Sequence, residues 1–163
     1  MMHNNITRLL DSKKISYTIH SLPDKKLSAV DTAAFLNVSL DQVFKSIVLT
    51  RTNPGKPIIA IIPASCEANT KKIAKQVKEK KVAVTTLQQA EKLTGLMAGG
   101  ISPLALINKG FEFLLDESAL KLDRMYISGG QIGIIINLSI SAFVDIIRPK
   151  MGDFSRFKNQ ADK

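Results

Sequence analysis

Apolar and polar positions follow one another along this chain with a period that changes repeatedly, and each change marks an element. In "NITRLLDSKK" the residues Ile6, Leu9 and Leu10 share one face at helical spacing, which predicts an opening helix. "ISYTIH" alternates with the period of two expected of a short strand. Ser28 followed by Asp31 is spaced like a capping box and opens the helix "AVDTAAFL"; Ser39 with Gln42 predicts a short helical turn before Phe44. Two β-rich runs, "SIVLT" and "PIIAII", flank "RTNPGK", whose Asn-Pro-Gly signals a turn, so the pair reads as a hairpin.

Further along, Thr70 is expected to cap a basic helix, "KKIAKQVKEKK", and "VAVT" to form a brief strand. Thr86 with Gln89 begins another helix, which Gly95 can terminate. "FEFLLD", "RMYIS" and "GIIINL" are three strand candidates, and "SISAFVDII" a last helix. The polar tail, from about residue 152 to 163, is expected to be frayed. Strands cluster without regular βαβ alternation. The pattern therefore points to an α+β fold with a mixed, curved sheet, built as a single domain over 1–163.

Composition narrows the classes. With 163 residues, 45% of them hydrophobic, the chain can bury a real core. No uncharged apolar run reaches the roughly 18 residues of a membrane span, and the N-terminal stretch lacks a signal-peptide apolar region. The one cysteine, Cys66, cannot form an intrachain disulfide, which favours a reducing cytoplasm. His3, His20 and Cys66 are too scattered for a dedicated zinc site, and neither metal nor cofactor is expected. A net charge of +9 favours polyanionic partners such as RNA, although seven Phe, two Tyr and no Trp give poor support for a base-stacking platform.

Three segments could carry chemistry. In "DQVFKSIVLT", strand alternation puts Lys45, Ile47 and Leu49 on one face and Phe44, Ser46 and Val48 on the other. A lysine opening an apolar face either snorkels its ammonium to water or serves a site. "TGLMAGGISPL" and "YISGGQIG" are small-residue segments, each with a serine and adjacent glycines; each is either a plain turn or backbone that lets a ligand approach. Neither matches a phosphate loop or a dinucleotide fingerprint. No G-x-S-x-G elbow is present, so a Ser-His-acid triad would have to recruit His20 or His3. Cys66, in "PASCEAN", shows no activating neighbour. The basic helix places Lys71, Lys75 and Lys78 along one side, as a solvated face or as a phosphate-contacting one.

Taken in order, "DQVFKS", "TGLMAGGISPL" and "YISGGQIG", with "IAIIPAS" and "KKIAK" between them, resemble the YbaK/EbsC family of aminoacyl-tRNA deacylases, related to the editing insertion of bacterial prolyl-tRNA synthetase. The similarity runs from roughly residue 4 to residue 150. The resemblance implies a mixed, barrel-like sheet flanked by helices. It also implies hydrolysis of an amino acid wrongly attached to tRNA, best known for cysteine on tRNA(Pro), with the substrate's own thiol attacking its ester. Lys45 matches the family's functional lysine, and Ser46 stands where Thr is familiar. Gly99, Gly100, Ile101, Ser102 and Pro103 match its pocket loop, Ser128, Gly129 and Gly130 its second loop, and Pro63 belongs to the substrate-binding set. On this resemblance the backbone N–H groups at the Gly-Gly turns stabilise the oxyanion, and Lys45 holds the terminal adenosine or a phosphate. The implied partners are misacylated tRNA(Pro) and prolyl-tRNA synthetase, with no membrane, for a monomer or weak homodimer. Where the best-known members carry Lys-Arg after Ser-Gly-Gly, this chain has Gln131 and Ile132; Ile135 stands in place of an Asp and Leu22 in place of a Tyr. These departures bear on which amino acid is removed. The alternatives are a deacylase for another small amino acid and a non-catalytic module of the same fold that binds tRNA or a synthetase.

Overall fold

Asn4 closes a reciprocal cap: its Oδ1 accepts from the Thr7 N–H and its own N–H donates to Thr7 Oγ1, both at 2.9 Å. The computed structural model describes residues 4–23 and 27–158; His3 and the last five residues of the tail, 159–163, lie outside the described residues. Helix α1 spans Asn5–Ser12 and strand β1 Tyr17–Ser21. Helix α2, Ala29–Leu36, opens on Ser28, whose Oγ accepts from the Asp31 N–H at 3.0 Å. A 3₁₀ turn at Leu40–Gln42 carries the box of Ser39 and Gln42 and leads into β2, Phe44–Arg51. β2 and β3 (Ile58–Pro63) pair antiparallel as the hairpin the turn signal predicts.

β4 (Cys66–Ala68), α3 (Thr70–Gln76), β5 (Val82–Val84) and α4 (Leu87–Thr94) follow. A glycine-containing loop and a 3₁₀ turn at Pro103–Ala105 lead to β6 (Glu112–Asp116), β7 (Arg124–Ser128) and β8 (Ile134–Ser139). Helix α5 (Ile140–Ile147) and the short strands β9 (Lys150–Gly152) and β10 (Ser155–Phe157) complete the chain.

The strands form a five-stranded sheet ordered β5-β2-β3-β6-β9, a three-stranded sheet β1-β8-β7 and a pair β10-β4. β3–β6 and β6–β9 are parallel and the remaining pairs antiparallel, so the α+β reading with a mixed sheet holds. The barrel is not closed. The residue ahead of β2 makes an isolated bridge to β7, Val43 to Tyr126, and closure would need a continuous ladder there. β3 is buried along its whole length because apolar layers cover both faces. Phe44 and Val48 point to one layer with Ile59 and Ile61; Leu49 points to the other, with Ile58, Ile62 and Ile73. The alternation expected of β2 is thus the alternation between two cores.

Three expectations need correcting. Asn69, not Thr70, caps α3, its side chain accepting from the Lys72 N–H at 3.2 Å. The helix stops at Gln76 instead of running on through Lys81, because the chain turns over at Lys78 (φ +59°) with Val77 buried behind it. The tail is not frayed as far as Phe157. Phe154 is buried, its N–H donates to Asp116 Oδ1 at 2.9 Å, and Ser155–Phe157 pairs with β4.

Candidate functional site

A cavity of about 320 Å³ opens where β2 begins, and parts of the chain far apart in sequence close it. Phe44 to Val48 form one wall; the start of α2, with Ser28, Ala29 and Thr32, forms a second. The run from Val84 to Leu87, which leads into α4, and Ala98, Gly99 and Ile101 form a third, and Ser128 and Ile135 reach it from β7 and β8. Lys45, Ser46, Gly99, Ile101 and Ser128 therefore line one cavity.

Lys45 pairs across the hairpin with Ile62 and is half-buried. Burial holds its pKa below the ordinary 10.5 and Lys158 pushes the same way, while Cys66 and Glu67 offset part of the shift. The neighbouring Ser46 Oγ is buried with no hydrogen-bond partner among the described residues. Leaving such a hydroxyl unpaired costs about 1–3 kcal/mol, so a ligand that hydrogen-bonds it would recover that cost.

The first glycine loop is braced from behind. Glu91 Oε2 on α4 accepts from the Ala98 N–H at 2.7 Å, and the Gly100 N–H donates to Met97 O at 2.8 Å. Gly99 has φ +91°, a conformation that side chains disfavour. Gly100 is needed for a different reason. A Cβ there would stand 3.0 Å from the Gln131 carbonyl carbon and from the Ile132 backbone nitrogen, so the two glycine loops pack backbone to backbone at this point. The N–H groups of Gly99 and Ile101 donate to no described residue. Ser102 is fully buried, and its Oγ accepts from the Leu104 N–H at 3.3 Å to open the 3₁₀ turn that Pro103 begins.

The second loop uses its donors internally. Gly130 N–H donates to Ser128 Oγ at 3.2 Å and Gly129 N–H to Ile134 O at 2.8 Å. Asn4 Nδ2 donates to Gly129 O at 3.0 Å, which ties this loop to α1. Of the two glycine loops, only the first contributes cavity-lining residues, Gly99 and Ile101, whose N–H groups donate to no described residue, and the glycines of the second act as a brace.

Gly100, Ser102, Pro103, Gly129, Gly130 and Pro63 fall outside the cavity lining. Pro63 is buried at the end of β3, opposite Phe44. Lys71, Lys75 and Lys78 are exposed on α3 and the turn after it, and none lines the cavity. His20 lies against Tyr126 with ring centroids 5.6 Å apart and also stays outside the lining. Cys66 is buried in β4 with Sγ 3.6 Å from Ser65 Oγ. Of the departures from the family pattern, Ile135 lines the cavity; Leu22 does not, its N–H donating to Gly133 O at 2.7 Å. Among the described residues no group of three or more His, Cys, Asp or Glu could hold a metal ion, and no helix is long and apolar enough to cross a membrane.

Sequence reasoning missed the contributions of α2 and α4. Ser28 and Thr86 were legible as caps, but a cap does not reveal that the helix start opens onto a cavity.

The family model for the aminoacyl-tRNA editing domain matches residues 24–146. The chain is 29% identical, over 93% of its length and 92% of the relative's, to a protein of Enterococcus faecalis described as a candidate Cys-tRNA(Pro)/Cys-tRNA(Cys) deacylase, EbsC. Two crystal structures share the fold. One is the hypothetical protein APE2540, with a TM-score of 0.86 at 18% identity over 94% of this chain and 100% of the other. The second is described as a candidate trans-editing enzyme for prolyl-tRNA synthetase, with a TM-score of 0.76 at 16% identity over 96% and 99%. The matched segment contains Lys45, both glycine loops and both helix starts that wall the cavity, and on that match the chain belongs to the aminoacyl-tRNA editing domain family.

Proposed function

We propose that the cavity takes the aminoacylated 3′ end of a misacylated tRNA, with cysteine on tRNA(Pro) as the preferred substrate, and cleaves the ester. The observation that carries this reading is the convergence of Lys45, Ser46, Gly99, Ile101 and Ser128 on one cavity in a chain of the editing family. An aminoacyl ester is already activated, so the site needs only to orient it and to stabilise the developing oxyanion. In this reading the N–H groups of Gly99 and Ile101, which donate to no described residue, stabilise the oxyanion, and Ser46 Oγ is a partner for the amino group. Lys45 holds the terminal adenosine or its phosphate.

The nucleophile in this reading is the substrate's own thiol. Its sulfur bonds to the ester carbonyl carbon, the carbon–oxygen bond to the ribose breaks, and the thiol proton ends on the departing ribose oxygen. Water then opens the resulting thiolactone to free cysteine. Intramolecular attack of this kind reaches effective molarities of about 10⁵–10⁸ M when well oriented. The partners are misacylated tRNA(Pro) and prolyl-tRNA synthetase, in the cytoplasm, for a monomer or weak homodimer.

One observation favours a second reading. Ile135 lines the cavity as an apolar group, which suits a small apolar amino acid attacked by water. A panel of Cys-, Ala- and Ser-tRNA(Pro) separates the two. Much faster clearance of the cysteinyl ester, unaffected by Cys66→Ala, is the expected result. Equal clearance of the alanyl ester would exclude an obligatory substrate thiol.

A further inference from the structure

A second concavity, larger than the cavity at Lys45, lies near the start of β3. It measures about 800 Å³ and is lined by the ends of α1 and α5, the start of β6, the loop before it, Lys56 in the turn ahead of β3 and the start of β9. Lys45 stands opposite Ile62, whereas this groove meets β6 beside Ile58, so about 13 Å of strand separates the two places.

Its walls carry four cations, Lys13, Lys56, Arg148 and Lys150, against one carboxylate, Glu112. That carboxylate is already engaged, by Arg51 at 2.7 Å and Lys150 at 3.1 Å. Burial raises the Glu112 pKa, but the hydrogen bonds and charges of Arg51 and Lys150 outweigh it and hold the group below its ordinary 4.5. Lys13, Lys56 and Arg148 are then left without a carboxylate in the lining. Lys13 and Arg148 sit at helix C-termini, where a cation gains about 0.3–1 kcal/mol from the helix dipole whatever its function. Lys56, ahead of β3, has no such reason to be there. The lining also holds Phe111, buried, and Phe113, half-buried, which lie deeper than the exposed cations and back onto the main core.

Exposed cations and deeper aromatic rings match a nucleotide, with its phosphate on the cations and its base and sugar below. We propose that this groove is a second, non-catalytic site that holds a nucleotide of an RNA chain outside the ester cavity. The inference does not rest on the deacylation proposed above, because binding alone tests it.

The probes are a fluorescein-labelled single-stranded RNA dodecamer, followed by anisotropy over a salt series, and adenosine monophosphate, followed by calorimetry. The variants are the triple Lys13→Ala/Lys56→Ala/Arg148→Ala and, for comparison, Lys71→Ala/Lys75→Ala on α3. All five side chains are exposed, and melting temperature checks that folding is retained. The groove triple should weaken RNA binding at least tenfold and reduce the slope of log K against log salt by about 2, as expected for three single-strand phosphate contacts. The α3 pair should change both less. Loss of adenosine monophosphate binding alone in the triple would support the groove and assign it to a free nucleotide. RNA and mononucleotide binding unchanged in a folded triple, or a larger effect from the α3 pair, would overturn the inference.

Discussion

Lys45 is the residue at which energetics and function pull apart. Burial lowers its pKa below 10.5, so the folded protein holds the charge at a cost and binds fewer protons than the unfolded chain as pH rises toward that value. Stability from this group therefore increases as pH climbs from the folded pKa to the ordinary lysine range, and the cost is in full force at neutral pH. Lys45→Met keeps the stem and removes the charge. Its melting temperature at pH 7 should equal or exceed that of the wild type, while kcat/KM for deacylation should fall about 10–100-fold, from the loss of a charged contact to the terminal adenosine or its phosphate worth about 1.5–3 kcal/mol. Near-normal turnover would show that the lysine merely snorkels. Gly100 and Ser102 make a second contrast at this scale. Gly100→Ala forces a methyl against the Gln131–Ile132 backbone and should cost about 1–3 kcal/mol of stability together with most of the activity. Ser102→Ala loses only a cap, about 1 kcal/mol, and should keep turnover within a few-fold. The reverse order would make Ser102 the nucleophile.

Among the elements, α1 does more than cover the core. Asn4 caps it through Oδ1 and holds the second glycine loop through Nδ2, two tasks that one substitution can separate. Asn4→Asp retains a good cap but cannot donate to Gly129 O. It should melt close to the wild type yet deacylate more slowly, whereas Asn4→Ala should also lose about 0.5–2 kcal/mol of stability, measured by urea titration. Activity unchanged in both variants would reduce α1 to packing. The helix itself was legible because Ile6, Leu9 and Leu10 repeat at helical spacing; its hold on a loop 125 positions away was not, since Nδ2 of a capping Asn leaves no periodic trace. The cap of α3 was misplaced by one residue because Asn69 and Thr70 are both good caps and only the fold selects between them. β9 and β10 went unread for a similar reason. Three-residue strands among charged neighbours carry no alternation, and the single buried Phe154 is too little signal.

For the molecule as a whole, the cavity is assembled by topology. The parallel β3–β6 pairing requires a long crossover, and that crossover brings α4 and the Gly99 loop over the start of β2. Motif resemblance could name Lys45, Ser46, Gly99, Ile101 and Ser128 together, yet it could not separate the residues that face the cavity from Gly100, Ser102, Gly129 and Gly130, which hold its walls. That division depends on which N–H groups are already engaged, a three-dimensional fact. The central claim is a place: the aminoacyl end of tRNA sits against Lys45 and the first glycine loop. Its most direct test is backbone chemical-shift mapping with 3′-cysteinylamido-adenosine, in which an amide replaces the cleavable ester. Saturable shifts centred on Lys45, Ser46, Gly99, Ile101 and Ser128, lost in Lys45→Met, are the predicted result. Shifts confined to the groove of Lys56 and Arg148, or no saturable shift at the cavity, would contradict it.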